Sequence, residues 1–391
     1  MVTDEATSRQ FNVDNVWTVA SVVIGSGIAL LPLFLSPLLV GEYIAALQVS
    51  DSNAGLIMSV EMTGFTIGAG LLFVMLTKNW RWIVCLALAL MAIGNLLSPL
   101  AGELSFFVVC RFFSGLGAGM LMTMTIQVIA LMRDPDRIYG LWTVGQLVLG
   151  ALGIFVFPRI LAEYSIHAVF VIWAVLVVSL LASVRFYPIA RAHNSEAGVN
   201  KLFSRRFSLG LLALLGLFIY YSGQAGVWMY MERVGAAWNL APEMVANTLF
   251  LSLLSGIAGS ALAIVFGTLI GRTLPLAASM TISAISIWLL LEPRSSATFI
   301  LAACLFNFGW YLFLPYISAL IAAVDETGKL LTALSVAFPA GLAAGPTVAA
   351  LLIGDAGILI PALIFGLISV PIGLVLIVPA SRLKFTDTST V

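Results

Sequence analysis

Glu61 and Arg111 are ionisable side chains set deep inside long apolar stretches. A charge in hydrocarbon is expensive, so an acid or base at that depth marks a functional site by default. A buried carboxyl takes up or releases a proton according to what stands beside it. Glu61 lies about 10 Å from the outer end of its apolar stretch at 1.5 Å rise per residue. Arg111 lies at similar depth on a stretch running the same way, so the two can pair, or approach one another in one of two states. That is the chemistry of proton coupling rather than of bond cleavage.

A second set of residues suits solute contact. Tyr220, Gln224 and Trp228 recur every four residues and share one helix face. Asn307, Trp310, Tyr311 and Tyr316 crowd a later stretch, and Met120, Met124 and Gln127 form a stripe beyond Arg111. Rings and thioethers with a few amides and hydroxyls fit an amphipathic or aromatic organic solute. An inorganic anion would want several Arg or Lys, and a sugar more carboxylates and amides.

The elements that must position these residues are twelve apolar stretches: 16–40, 54–76, 82–100, 104–132, 139–157, 168–184, 209–231, 245–269, 274–291, 297–324, 330–353 and 357–378. Each is close to the ~17–25 residues a helix needs to cross ~30 Å of hydrocarbon. Lipid offers no partner to backbone N–H and C=O groups, so such stretches are helices. The expected fold is an all-α membrane protein. Of 391 residues, 61% are hydrophobic and 9% charged, with mean hydropathy +1.10, whereas a soluble domain carries roughly 25% charged residues. No cleavable signal peptide is expected, because the first stretch is too long and follows a polar, mixed-charge segment.

With the N-terminus inside, fourteen Lys and Arg fall in inner joints, against Arg159, Arg233 and Arg294 in outer ones. That bias places both termini in the cytoplasm. Glu42, Glu232 and Arg233 read as interfacial. The longest polar joint, 187–208, reads as a cytoplasmic linker between an N-terminal six-helix bundle (1–186) and a C-terminal one (209–391). The halves echo each other: Arg133-Asp134-Pro135-Asp136-Arg137 follows the fourth stretch and Asp325-Glu326-Thr327-Gly328-Lys329 the tenth, with Asp325 191 residues after Asp134. Two parallel halves rocking about a midplane site fit this pattern.

The fourth stretch carries Arg111-Phe112-Phe113-Ser114-Gly115-Leu116-Gly117-Ala118. It resembles the Arg-x-x-Gln-Gly-x-Gly-Ala run of the fourth helix in the major facilitator superfamily, with Ser114 in place of Gln. The eleventh carries Gly341-Leu342-Ala343-Ala344-Gly345-Pro346, similar to the Gly-x-x-x-Gly-Pro signature associated with the fifth helices of exporters in that family. Small residues let two backbones approach, and the proline adds a bend. The joint around Lys78 and Arg81 keeps only the basic residues of the family's Gly-x-x-x-Asp-Arg-x-Gly-Arg-Arg motif. Gly267-Thr268-Leu269-Ile270-Gly271-Arg272 keeps Gly267 and Arg272 but has Gly271 where the acid belongs. The resemblance covers all twelve stretches. It implies a transporter whose first, fourth, seventh and tenth helices line the cavity, with Arg111 tuning proton or substrate handling.

Net charge is 0, from 18 basic and 18 acidic residues, which argues against a nucleic-acid partner. Cys85, Cys110 and Cys304 fall inside apolar stretches without metal-like spacing, and no metal or other cofactor is expected. There is no phosphate loop and no hydrolase elbow, so the energy is expected from an ion gradient, from the solute's own gradient or from a partner subunit, and the chain is not read as an enzyme. The expected partners are a small-molecule solute, protons and the bilayer, with the chain working as a monomer in a cytoplasmic inner membrane. The leading expectation is proton-coupled efflux of a small amphipathic compound. Proton-coupled uptake of an organic or aromatic acid is the alternative, and a membrane-embedded enzyme or scaffold is a third.

Overall fold

The computed structural model describes residues 13–75, 79–188, 204–267, 269, 271–292, 295–325 and 328–383. Among these, twelve helices are long and apolar enough to cross a membrane. In the first half they are α1 (Val16–Leu47), α2 (Asp51–Met75), α3 (Trp80–Leu97), α4 (Leu104–Ile129), α5 (Pro135–Glu163) and α6 (Ile166–Ser179), the last continued by a 3₁₀ segment, Leu180–Phe186. The second half holds α7 (Arg205–Met229), the short α8 (Met231–Ala237), α9 (Pro242–Phe266), α10 (Thr273–Leu290), α11 (Ser296–Val324), α12 (Lys329–Ile353) and α13 (Ile360–Ser381).

Several helix starts follow from capping chemistry. Asn15, Asn79, Asp134, Ser204 and Ser295 each accept a backbone N–H from the first turn of α1, α3, α5, α7 and α11. Glycines in the left-handed region end α9 at Gly267 (φ 46°) and α12 at Gly354 (φ 59°). Two departures from the sequence expectation matter for function. First, α1 runs seven residues beyond 40, to Leu47, so Glu42 and Tyr43 are helical. Second, the seventh stretch breaks at Tyr230, and Met231–Ala237 forms a separate short helix.

The halves share one packing scheme, except that α13 lies closely along α7 whereas α6 barely touches α1. In the first, α4 lies against α2 and α3, α1 against α5, and α3 against α6. In the second, α11 lies against α9 and α10, α7 against α12, and α10 against α13. The two seams between halves, α2 with α12 and α5 with α9, are equivalents of each other under the same correspondence. This is the signature of two pseudo-symmetric six-helix bundles. Large apolar side chains such as Ile264, Val265, Leu351 and Val375 are exposed on the outside, as lipid requires. The linker region 189–203 lies outside the described residues.

With an even number of crossings, both ends of the described chain reach one face of the bundle, called here the termini face. The opposite, far face is where the halves are stapled. There Asp51, the first residue of α2, accepts the Arg233 Nε at 2.7 Å on its carboxylate and the Tyr230 hydroxyl at 2.9 Å on its backbone carbonyl.

Candidate functional site

Small residues bring the first candidate pair together. A Cβ on Gly115 would collide with the backbone carbonyl of Glu61, so α4 reaches α2 there only as glycine. A Cβ on Gly117 would likewise collide with the Ala87 carbonyl of α3. Arg111, one turn before Gly115, is thereby drawn between α2 and α3.

Arg111 and Glu61 are both fully buried, with Nη1 and Oε1 3.5 Å apart. Because α2 begins at Asp51 rather than 54, Glu61 stands ten residues in, about 15 Å of rise and half the apolar thickness. The remaining guanidinium nitrogens are held by α3 and its end. Nη2 donates to the Gly94 carbonyl (3.1 Å), Asn95 Oδ1 (3.0 Å) and Ser98 Oγ (2.8 Å), and Nε donates to Ser98 Oγ (3.1 Å). The Phe170 ring lies against it at 4.4 Å. Asn95 is itself fixed, donating to the Met91 carbonyl and to Ser114 Oγ.

Glu61 is held far more loosely. Ser114 stands within its electrostatic reach, yet neither carboxylate oxygen makes a hydrogen bond. Tyr43, packed edge-on to Phe107 at 5.5 Å, lies within electrostatic reach of both Glu61 and Arg111. Its buried hydroxyl is also without a partner. The arrangement is asymmetric. The cation is anchored independently of the acid, so the acid can change protonation or partner without releasing the cation. Asn95, Ser98 and Tyr43 were not singled out from sequence, and Ser114 was marked only as the residue replacing Gln in the fourth-helix run. Asn95 and Ser98, three apart in an otherwise apolar stretch, carried a signal that spacing alone would have flagged.

In the second half, four rings form a frame between α7 and α11. Trp228 stacks on Phe306 (6.2 Å between ring centroids), Phe306 contacts Trp310 (5.8 Å), and Trp310 meets Tyr221 edge-on (5.2 Å). Gln224 lies midway between Tyr221 and Trp228 on α7. It is fully buried, and neither Nε2 nor Oε1 has a hydrogen-bond partner. Trp228 Nε1 leaves the frame to donate to the Leu33 carbonyl of α1, 3.0 Å away in the other half.

The other candidate contacts face elsewhere. Tyr220 is engaged with Ser283 Oγ of α10 at 2.8 Å. Asn307 donates to Ser252 Oγ of α9 at 3.0 Å, and the Tyr311 ring packs over Gly256 of α9. Those three tie the second half together, because α11 is buried on more than one face. Met124 is buried in the first-half core and Gln127 is half-buried one turn on. Tyr221 and Phe306 are the frame residues that sequence reasoning missed.

Gly341, Gly345 and Pro346 lie within α12. Gly341 packs on the Phe218 carbonyl and Tyr221, and Gly345 on the Ser222 carbonyl, so this motif seats α12 on α7 behind the frame. Arg272 sits just ahead of α10 on the termini face, after Gly271, whose φ of 71° suits glycine where the family pattern has an acid.

A family model described as "Major Facilitator Superfamily" matches residues 18–323. No curated protein matches the chain. Among solved structures, a mutant of the nucleoside transporter NupG superposes with TM-score 0.70 at 12% sequence identity, over 93% of this chain and 98% of that one. At that identity the likeness concerns the fold.

Proposed function

The chain belongs to the Major Facilitator Superfamily of membrane transporters, and from that premise we propose that it exports a small amphipathic organic compound against an inflow of protons. The reading takes 1–186 and 209–391 as two bodies joined by 187–208, with both termini cytoplasmic in an inner membrane and one chain as the working unit. Alternating access then consists of rocking these bodies about the midplane.

The observation that carries the proton role is the asymmetry at Glu61. Its carboxylate is fully buried, 3.5 Å from an anchored guanidinium and free of hydrogen bonds. In the ionised state it is attracted to Arg111. Once protonated it loses that attraction while Arg111 stays on Asn95 and Ser98. A proton taken at Glu61 therefore changes how α2 is held against α4, and α2 is also a seam helix against α12. Protonation is in this way tied to the contact between the halves. Export is the direction favoured by the Gly341–Pro346 resemblance to exporter sequences. An aromatic frame with one amide supports the amphipathic solute.

The test is transport in proteoliposomes. Glu61→Gln is expected to abolish gradient-driven accumulation and its pH dependence while solute counterflow persists. Unchanged gradient-driven transport in this variant would remove Glu61 from the mechanism. Loading the solute into vesicles of defined orientation separates export from uptake.

A further inference from the structure

The sequence of the second half holds no Asp, Glu, Lys, Arg or His within its six apolar stretches. Whatever a solute presents to this half is recognised without charge. Within that neutral region stands one fully buried carboxamide, Gln224, with both its donor and its acceptor unpaired. A buried polar group left unpaired is costly, and here two such atoms belong to one rigid plane. Tyr221 and Trp228 flank Gln224 in sequence on α7, and their rings join Trp310 and Phe306 of α11 in one chain of aromatic contacts. The chain of rings also meets α1 of the other half, through the Trp228–Leu33 hydrogen bond.

From this we infer that Gln224 is the reader of a flat, uncharged ring carrying an N–H next to a C=O, a lactam-type edge. A carboxamide offers one in-plane acceptor and an adjacent donor. A lactam edge offers the complement, so Oε1 takes the ring N–H while Nε2 donates to the ring C=O. Both atoms are satisfied by one planar partner. The ring faces stack on these aromatic side chains, where aromatic pairs gain attraction beyond burial. A carboxylate solute would meet no cation on this side, and an ammonium no anion, each a heavy desolvation cost. A hydrocarbon would leave both amide atoms unpaired. The inference deepens the transport reading by naming the solute class, and it rests on that reading only for the step of movement.

Equilibrium binding to purified full-length protein in detergent tests it without any gradient. The probes are 2-quinolinone, its N-methyl derivative, and 2-naphthoate. The expected result is saturable binding of 2-quinolinone, about tenfold or more weaker binding of the N-methyl compound, and weaker binding still of the naphthoate. Gln224→Met should erase the preference between the first two while the melting temperature stays near wild type. If that variant does not fold, Gln224→Asn takes its place and should reduce the preference. The inference is overturned if the naphthoate binds as well as the lactam, if N-methylation has no effect, if the preference survives both variants, or if no probe binds. Should 2-quinolinone bind but fail to exchange in counterflow, the site stands and its transport role falls.

Discussion

Trp228 and Leu33 belong to opposite halves, yet the indole Nε1 donates to the Leu33 carbonyl at 3.0 Å. In an unbroken helix that carbonyl would accept from residue 37. Here residue 37 is a proline inside α1, which has no N–H to give. Ser36 Oγ donates to the same oxygen at 2.8 Å, and the indole supplies a donor from across the interface. A proline in one bundle thereby creates the acceptor for a side chain in the other.

Trp228→Phe keeps a ring against Phe306 and removes the donor. Loss of one such bond is worth about 0.5–1.5 kcal/mol, so the far-face-closed population should fall about two- to tenfold relative to the open one. Fluorophores at Ala46 and Asn239, both exposed on the far face, would read this as a longer mean separation in a background lacking the three cysteines. An unaltered distance distribution would mean that the bond does not hold the halves together.

The Arg111 network makes a prediction about stability. Removing one member of a buried pair strands the other, at about 3–5 kcal/mol, whereas removing both charges is far milder. Arg111→Met should therefore lower the melting temperature sharply, and Glu61→Gln with Arg111→Met should recover most of the loss. Arg111→Lys should recover little, because a point ammonium cannot span Gly94, Asn95, Ser98 and Glu61 together. The measurement is a double-mutant cycle on thermal unfolding in detergent. Strict additivity would show the pair to be uncoupled.

Close helix approach predicts a contrast along α2 and α4. Gly115→Ala drives a methyl into the Glu61 carbonyl. It should cost about 1–3 kcal/mol by forcing the helices apart and should weaken the coupling of Glu61 to Arg111. Gly70→Ala, with nothing within 4 Å of the added carbon, should be neutral or stabilise by up to about 1 kcal/mol. Equal effects in the two variants would contradict the packing described.

The helices themselves were legible because membrane length and apolarity are nearly a complete specification. The six-plus-six arrangement was legible because the polar joints repeat. Less legible was which way a side chain points. Asn307 and Tyr311 share α11 with Trp310, and a helix apolar all round has little periodicity to distinguish neighbour from cavity. The partners that orient them, Ser252 and Gly256, lie about fifty residues earlier, and nothing local announces them. Tyr43 was passed over because Gly41-Glu42 reads as a helix end, whereas α1 continues to Leu47.

The far face carries a pH dependence of its own. Glu232 lies on α8 against Gly41 of α1, with Glu42, Asp51 and Arg233 around it. Burial, above all, holds its carboxyl above the ordinary carboxylate value; Arg233 works against that shift, and the neighbouring Glu42 and Asp51 add to it. Opening the far face would expose Glu232 to water and return it toward the ordinary value. The closed form thus binds the proton more tightly, so closure gains as pH falls from the raised value to the ordinary one and is constant below it. Raising pH through the same window ionises Glu232 beside two other carboxylates and favours opening. The Ala46–Asn239 fluorophore pair should lengthen with rising pH in the wild type, and Glu232→Gln should remove the part of that response lying above the ordinary carboxylate range. If the variant keeps the full response, the titrating group is another of the far-face acids.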